Sequence, residues 1–319
     1  MTAGLLAAEL VQGRPAHAYL LTGPDPGALR GAAKLIAQAL NCLAQGPAGP
    51  CGSCISCREI DSGVFADFHL GEPRHKLADV KGQLALTVER PFVGRRRVVV
   101  LPNVPGMTRE AQNALLKALE EPPPSSVLIL TAPSAEGILP TVVSRCRHIP
   151  VPGPTPADLA DDLRQAGFAA DSAHFAALAA GGDRAVAARL VARDDLNQLR
   201  NDAVGFVVGA LADPREPPLE LVERYDARLG PGDEQADWFA AVRGVLQAVI
   251  AAGAGAPESP WLDGATPSKA KLASLSPLAA AHLIEAIQGV EAASVRHAAV
   301  RLALEAELLT MYDLIDTRR

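Results

Sequence analysis

The sequence predicts an α/β domain, a parallel sheet with helices on both faces, followed by a stretch that is helical throughout. Three observations carry this. Short apolar runs alternate with segments of helical spacing up to about residue 150; a Pro-rich junction spans Pro150 to Pro156; beyond it the strand-like runs vanish. Continuously apolar strands belong in parallel sheets, because crossover helices cover both faces and leave no side for water.

The elements follow in order. His17–Thr22 reads as a buried strand ended by the Gly23-Pro24 turn. Ala28 to Leu43 places Leu29, Ala33, Ile36, Ala37 and Leu40 at helical spacing. Arg97–Leu101 is a β-branched run stopped by Pro102. Arg109 to Glu121 reads as a helix with Ala111, Ala114, Leu115 and Ala118 as its apolar stripe, Thr108 as N-cap and Pro122-Pro123-Pro124 as its stop. Val127–Thr131 supplies another apolar strand. After the junction, 157–165, 172–180 and a segment starting near Asp183 form a small helical unit. Longer helices are expected at 234–252, 277–293 and 296–315, the last with Val300, Leu304, Leu308 and Met311 on one side. The Gly-, Pro- and Ala-rich stretch 253–268 reads as an exposed loop. The expected domains are 1–152, 153–198 and 199–319.

Composition bounds the function. A chain of 319 residues exceeds what one hydrophobic core usually supports, and 49% apolar with 21% charged residues is enough to fold. The net charge of −6 argues against an extended basic surface that dominates nucleic-acid contact. No uncharged apolar run approaches the roughly 18 residues of a membrane span. The start, MTAGLLAAELVQG, has no basic segment ahead of an apolar one. The expectation is a soluble cytoplasmic protein with no membrane partner.

Four of the five cysteines, Cys42, Cys51, Cys54 and Cys57, follow the spacing C-x8-C-x2-C-x2-C. Two overlapping C-x2-C steps direct three thiolates to one point, and Cys42 at a helix end closes a tetrahedron. That is the ligand set of one structural Zn²⁺, with no position left for a catalytic water. An iron–sulfur cluster or a redox pair uses the same residue type. Without basic, aromatic-rich sequence around them, these cysteines argue weakly for a zinc-dependent nucleic-acid module. Cys146, alone, reads as a small buried hydrophobe.

The turn after the first strand sits where a phosphate-binding loop would be expected. Such a loop needs G-x-x-x-x-G-K-[ST], so that backbone N–H groups cradle phosphates, lysine neutralises them and a hydroxyl holds Mg²⁺. Here Gly23 and Gly27 remain, but Ala28, Leu29 and Arg30 stand at the second glycine, lysine and hydroxyl positions. The strand 98–101 should end in carboxylates; it ends in Pro102-Asn103. With both parts missing, no nucleotide site is expected here, since phosphoryl transfer depends on electrostatic positioning of phosphate, metal and water. Ser144-Arg145-Cys146 follows the Pro140 turn, and an arginine fork there suits a phosphate on a neighbouring molecule.

In order, His17-Ala18-Tyr19-Leu20, the Gly-Pro turn, the four-cysteine insertion, Asn113-Ala114-Leu115-Leu116-Lys117-Ala118-Leu119-Glu120-Glu121-Pro122-Pro123 and Ser144-Arg145-Cys146 resemble the AAA+ subunits of the bacterial DNA polymerase III clamp loader. The match is dense over 13–150 and fainter through Gly181-Gly182-Asp183-Arg184 and Arg301–Glu305. The resemblance implies an AAA+ domain with a zinc-binding insertion at 42–57, a helical lid at 153–198 and a helical collar at 199–319 through which subunits oligomerise. It implies gamma/tau and delta subunits as partners, and the sliding clamp and primer–template DNA through the complex. The departures at Ala28, Leu29, Arg30, Pro102 and Asn103 point to the family's non-hydrolysing stator. Arg145, with Ser144, would then be the arginine finger that acts in trans, and no ATP is expected in this chain. Thr131 and Arg184 fall at nucleotide-sensing positions and would be vestigial or structural. The alternative is a gamma/tau-like ATPase with a divergent loop, in which Arg30 replaces the lysine.

Overall fold

A computed structural model describes residues 15–47, 49–73, 76–212, 217–230, 232–255, 272, 275–294 and 300–316. The chain divides at Gly153 into two units. The first contains β1 (Ala18–Thr22), α1 (Pro26–Asn41), α2 (Ile55–Ser62), β2 (Phe68–Leu70), α3 (Leu77–Val88), β3 (Arg97–Leu101), α4 (Arg109–Glu120), β4 (Ser126–Ala132), α5 (Pro140–Val143) and β5 (Arg147–Pro150). Its five strands form a parallel sheet in the order β2-β3-β4-β1-β5.

Every residue of β1, β3 and β4 is buried, which is why these strands read as apolar runs without alternation. Their alternate side chains serve two cores, as the period of two requires. Tyr19, Leu21, Val98, Val100, Val127 and Ile129 pack with Ile36, Leu40 and Ile60. Leu20, Val99, Leu101, Leu128 and Leu130 pack with Val80, Ala111, Leu115 and Leu119 on the other face. Thr108 caps α4 by accepting from Ala111 N–H at 3.2 Å.

Two buried polar side chains hang the loop that feeds β3. Asp67, with no exposed surface, accepts the N–H groups of Phe92, Val93 and Gly94 at 2.7 Å each and lies 3.2 Å from Arg97 Nη2. Burial alone would raise its pKa. The three backbone donors and the Arg97 charge outweigh that and hold the carboxyl below its ordinary value. Asn41, the last residue of α1, accepts from Arg95 and Arg96 N–H at 2.8 and 3.0 Å and so fixes the same loop to the helix.

The second unit is helical throughout its described residues: α6 (Pro156–Gln165), α7 (Ala170–Ala179), α8 (Arg184–Val191), α9 (Leu196–Ala212), α10 (Pro218–Arg224), α11 (Asp233–Gly253), α12 (Pro277–Ser294) and α13 (Val300–Asp316). One apolar core runs from Leu159 to Leu308. Trp238 of α11 is fully buried, with Phe206 4.9 Å and Phe239 5.2 Å away in edge-on geometry.

Next to that core lies a charged network. Buried Asp237 accepts from Arg189 Nε at 2.8 Å and Arg193 Nη1 at 2.9 Å. Asp195 takes a two-pronged contact from Arg193 at 2.8 and 3.0 Å and a third from Arg228 at 3.0 Å. These arginines, Arg193 first, hold the Asp195 carboxyl at about 2. A carboxyl held below its unfolded pKa contributes stability that is complete above about pH 5 and is lost as pH falls toward 2. The urea midpoint of this unit is therefore expected to fall on acidification from pH 5 to 2, less steeply in Asp195→Asn. Tryptophan fluorescence reads it directly, since both tryptophans, Trp238 and Trp261, lie in this unit.

The first helix begins at Pro26, two residues earlier than its apolar pattern indicates. The elements 55–62, 68–70, 77–88 and 147–150 carry no sequence prediction. The expected loop beyond 255 lies, from 256 to 268, outside the described residues, as do 296–299 of the last expected helix.

Candidate functional site

At the end of β1 the chain takes three residues, Gly23-Pro24-Asp25, to reach α1. Asp25 is the N-cap. Its Oδ1 accepts Gly27 N–H at 2.8 Å, and Pro26 takes the first helical position, where a missing N–H costs nothing. A carboxylate at a helix N-terminus sits where a bound phosphate would, because the same unpaired N–H groups attract either anion. Asp25 is only 5% exposed, so the chain's own carboxylate fills that position.

The rest of the loop is equally committed. Gly23 N–H continues the sheet by donating to Ala132 O at 3.1 Å. A Cβ on Gly23 would lie 2.2 Å from Val151 O, so this glycine serves the close passage of the chain after β5. Ala28, Leu29 and Arg30 are helical; Leu29 is buried in the core with Ala33 and Ile36. Arg30 lines a cavity of about 520 Å³ with Lys34, Ser62 and His69, and no residue from 23 to 29 shares it. At the end of β3, Pro102 is followed by Asn103 in the left-handed region, φ 53°, leading into a 3-10 turn at Val104–Gly106.

The four predicted cysteines come together. Their sulfurs all lie within 4.8 Å of one another, and all four are free thiols. A tetrahedron with bonds of about 2.3 Å has edges of roughly 3.8 Å, and Cys42 Sγ lies 4.0 Å from Cys54 Sγ. Cys42 terminates α1, Cys54 is the N-cap of α2 and Cys57 lies in its first turn, so two helices are tied at one point. Gly52, at φ 70°, makes the turn between Cys51 and Cys54. Cys51 N–H donates to Cys42 Sγ and Cys54 N–H to Cys51 Sγ, both at 3.3 Å. Cys42 and Cys57 are buried while Cys51 is exposed, which gives an ion a path from one side. Burial pushes the Cys57 thiol up to about 12, whereas backbone N–H groups, that of Cys54 first, bring Cys51 down to about 6. These residues could hold one metal ion.

Arg145 follows α5 and is 37% exposed. Its Nη1 donates to Thr141 O at 3.0 Å and its Nη2 lies 2.9 Å from Glu120 Oε1. Ser144 donates to Thr141 O at 3.3 Å. Thr131 is buried within β4 opposite Leu21. Arg184 opens α8 and pairs with Asp162 of α6. Cys146 is half-buried, and burial pushes its thiol up to about 11.

The family model described as DNA polymerase III, delta subunit, matches residues 2–155. The DNA polymerase III subunit delta' of Pseudomonas aeruginosa is 34% identical over 145 residues, covering 43% of this chain and 44% of the relative. That of Bacillus subtilis is 33% identical over 163 residues, covering 50% and 49%. The chain is thus similar, over half its length or less, to delta-prime subunits of DNA polymerase III. DNA polymerase III subunit tau of Escherichia coli is also similar, at 34% over 143 residues, 44% of this chain and 22% of tau. The chain spans less than half the length of these delta-prime relatives, and the stretch matched by the family model coincides with the first unit. The cysteine cluster was legible in the sequence. The cap by Asp25 was not read from it, although Asp-Pro ahead of an apolar periodic run is an N-cap signal. The pairing of Arg145 with Glu120 has no local signal, because 25 residues separate the two.

Proposed function

We propose that this chain is the non-hydrolysing stator of a DNA polymerase III clamp loader. It would support ATP-dependent loading of the sliding clamp onto primed DNA through contacts with gamma/tau and delta subunits. The observation that carries the reading is the contrast between the two ends of the site. The position for a phosphate at α1 is filled by Asp25, while Arg145 stands partly exposed on a neighbouring segment. A chain arranged this way does not bind its own triphosphate but has a guanidinium to offer to another subunit's. Arg145 would stabilise the charge that develops on the γ-phosphate there, as arginine fingers do.

The remaining parts fit that role. Four thiolates around one structural Zn²⁺ would brace α1 against α2, with no open position for chemistry. Thr131 and Arg184 have structural partners and no nucleotide to sense. Residues 153–198 would serve as lid and 199–319 as the collar that joins the subunits. The test is calorimetric titration of the isolated chain with Mg-ATP. A flat isotherm to millimolar nucleotide is expected; micromolar binding would favour the divergent ATPase that uses Arg30.

A further inference from the structure

Helix α4 holds the Arg145 segment at both of its ends. Near its start, buried Gln112 accepts Leu139 N–H at 2.8 Å and donates to Gly137 O at 3.0 Å, so it fixes the strand of chain that enters α5. At its far end Glu120 is the last helical residue. Glu121 N–H closes the helix on Lys117 O at 3.0 Å, and Pro122-Pro123-Pro124 prevent it from continuing. Glu120 therefore has a fixed station, and its carboxylate meets Arg145 Nη2 there.

The charge at that station is notable for its sign. A helix C-terminus carries partial negative charge, so a glutamate in the last turn is disfavoured unless a cation answers it. Arg145 answers it here. The ion pair is exposed, with side chains 37% and 52% accessible, so it contributes little to folding. What it does is orient. The guanidinium is planar and has five donors. Thr141 O takes Nη1, Glu120 takes Nη2, and among the described residues no other group engages the rest.

We infer that Glu120 is a positioning residue for Arg145: with the Thr141 carbonyl it sets the plane of the guanidinium and leaves its remaining N–H groups to meet a phosphate of the neighbouring subunit. The inference rests on the finger reading above. It gives a task to one glutamate of the Leu-Glu-Glu-Pro-Pro run, and it assigns that task to Glu120 and not to Glu121, which lies past the helix end.

The experiment is a double-mutant cycle in the complex reconstituted with its ATPase subunits, read as single-turnover ATP hydrolysis with primed DNA and clamp. Glu120→Gln is expected to lower the hydrolysis rate about threefold to fivefold, the size set by one exposed charge pair, with half-saturating ATP unchanged. In an Arg145→Ala background the same substitution is expected to change nothing further. An equal loss in both backgrounds overturns the assignment of Glu120 and leaves the finger standing. No loss in the wild-type background overturns it likewise, as does a loss that tracks failure to assemble on gel filtration. If Arg145→Ala alone leaves hydrolysis unchanged, the finger reading falls and this inference falls with it.

Discussion

Arg145→Ala, assembled with wild-type ATPase subunits, is expected to slow ATP hydrolysis at the adjoining site by about 10³-fold or more, the range in which arginine fingers act. The side chain is 37% exposed, and among the described residues its polar partners are one carbonyl and one exposed carboxylate. Truncating it should therefore leave the fold and the thermal midpoint almost untouched. That separation makes the measurement decisive, because a large kinetic loss with no stability loss has no structural explanation. Arg145→Lys should recover little, since a point charge cannot reproduce the planar fork. DNA-stimulated hydrolysis and clamp loading that survive Arg145→Ala would remove the trans-acting role altogether.

The second large effect concerns the four cysteines. Metal analysis of protein purified without chelator is expected to give one zinc per chain. Cys57→Ser is expected to release it and to cost the first unit several kcal/mol, because metal binding and folding of the ligand-bearing loop are one equilibrium. For a unit of this size each kcal/mol lowers the melting temperature by about 2–4 °C, so the loss should be plain in a thermal scan. Cys57 is the informative choice, being fully buried at the start of α2 where a serine hydroxyl can neither replace the thiolate nor reach water. Zero metal in the wild type, or a variant that melts like the wild type, would refute a structural zinc.

How far the sequence reaches depends on how local each signal is. β3 and β4 were readable to within a residue because strands buried on both faces leave no choice but continuous apolar runs. β2 escaped because Phe68-His69-Leu70 is three residues long, lies at the sheet edge and has only Phe68 fully buried. β5 escaped for a similar reason: only Ile149 of Arg147–Pro150 points inward. Helix α3 has a weak apolar stripe, with only Val80 and Thr87 buried, so its pattern does not stand out from a loop. The cluster of Cys42, Cys51, Cys54 and Cys57 was legible because short spacing brings them together. Asp67 and Asn41, which suspend the loop before β3, act across 25 to 55 residues and leave no mark on the sequence around them.

The early start of α1 bears on what a phosphate-binding loop designed into this turn would need. With Asp25 and Pro26 winding the chain into a helix at once, positions 28 to 30 fan out at successive hundred-degree steps. A lysine placed at 29 would be thrust into oil beside Ala33 and Ile36, and a threonine at 30 would look out from the helix surface. Bringing those side chains around a phosphate would first demand unwinding a turn. The two substitutions alone would leave those side chains with nowhere to gather.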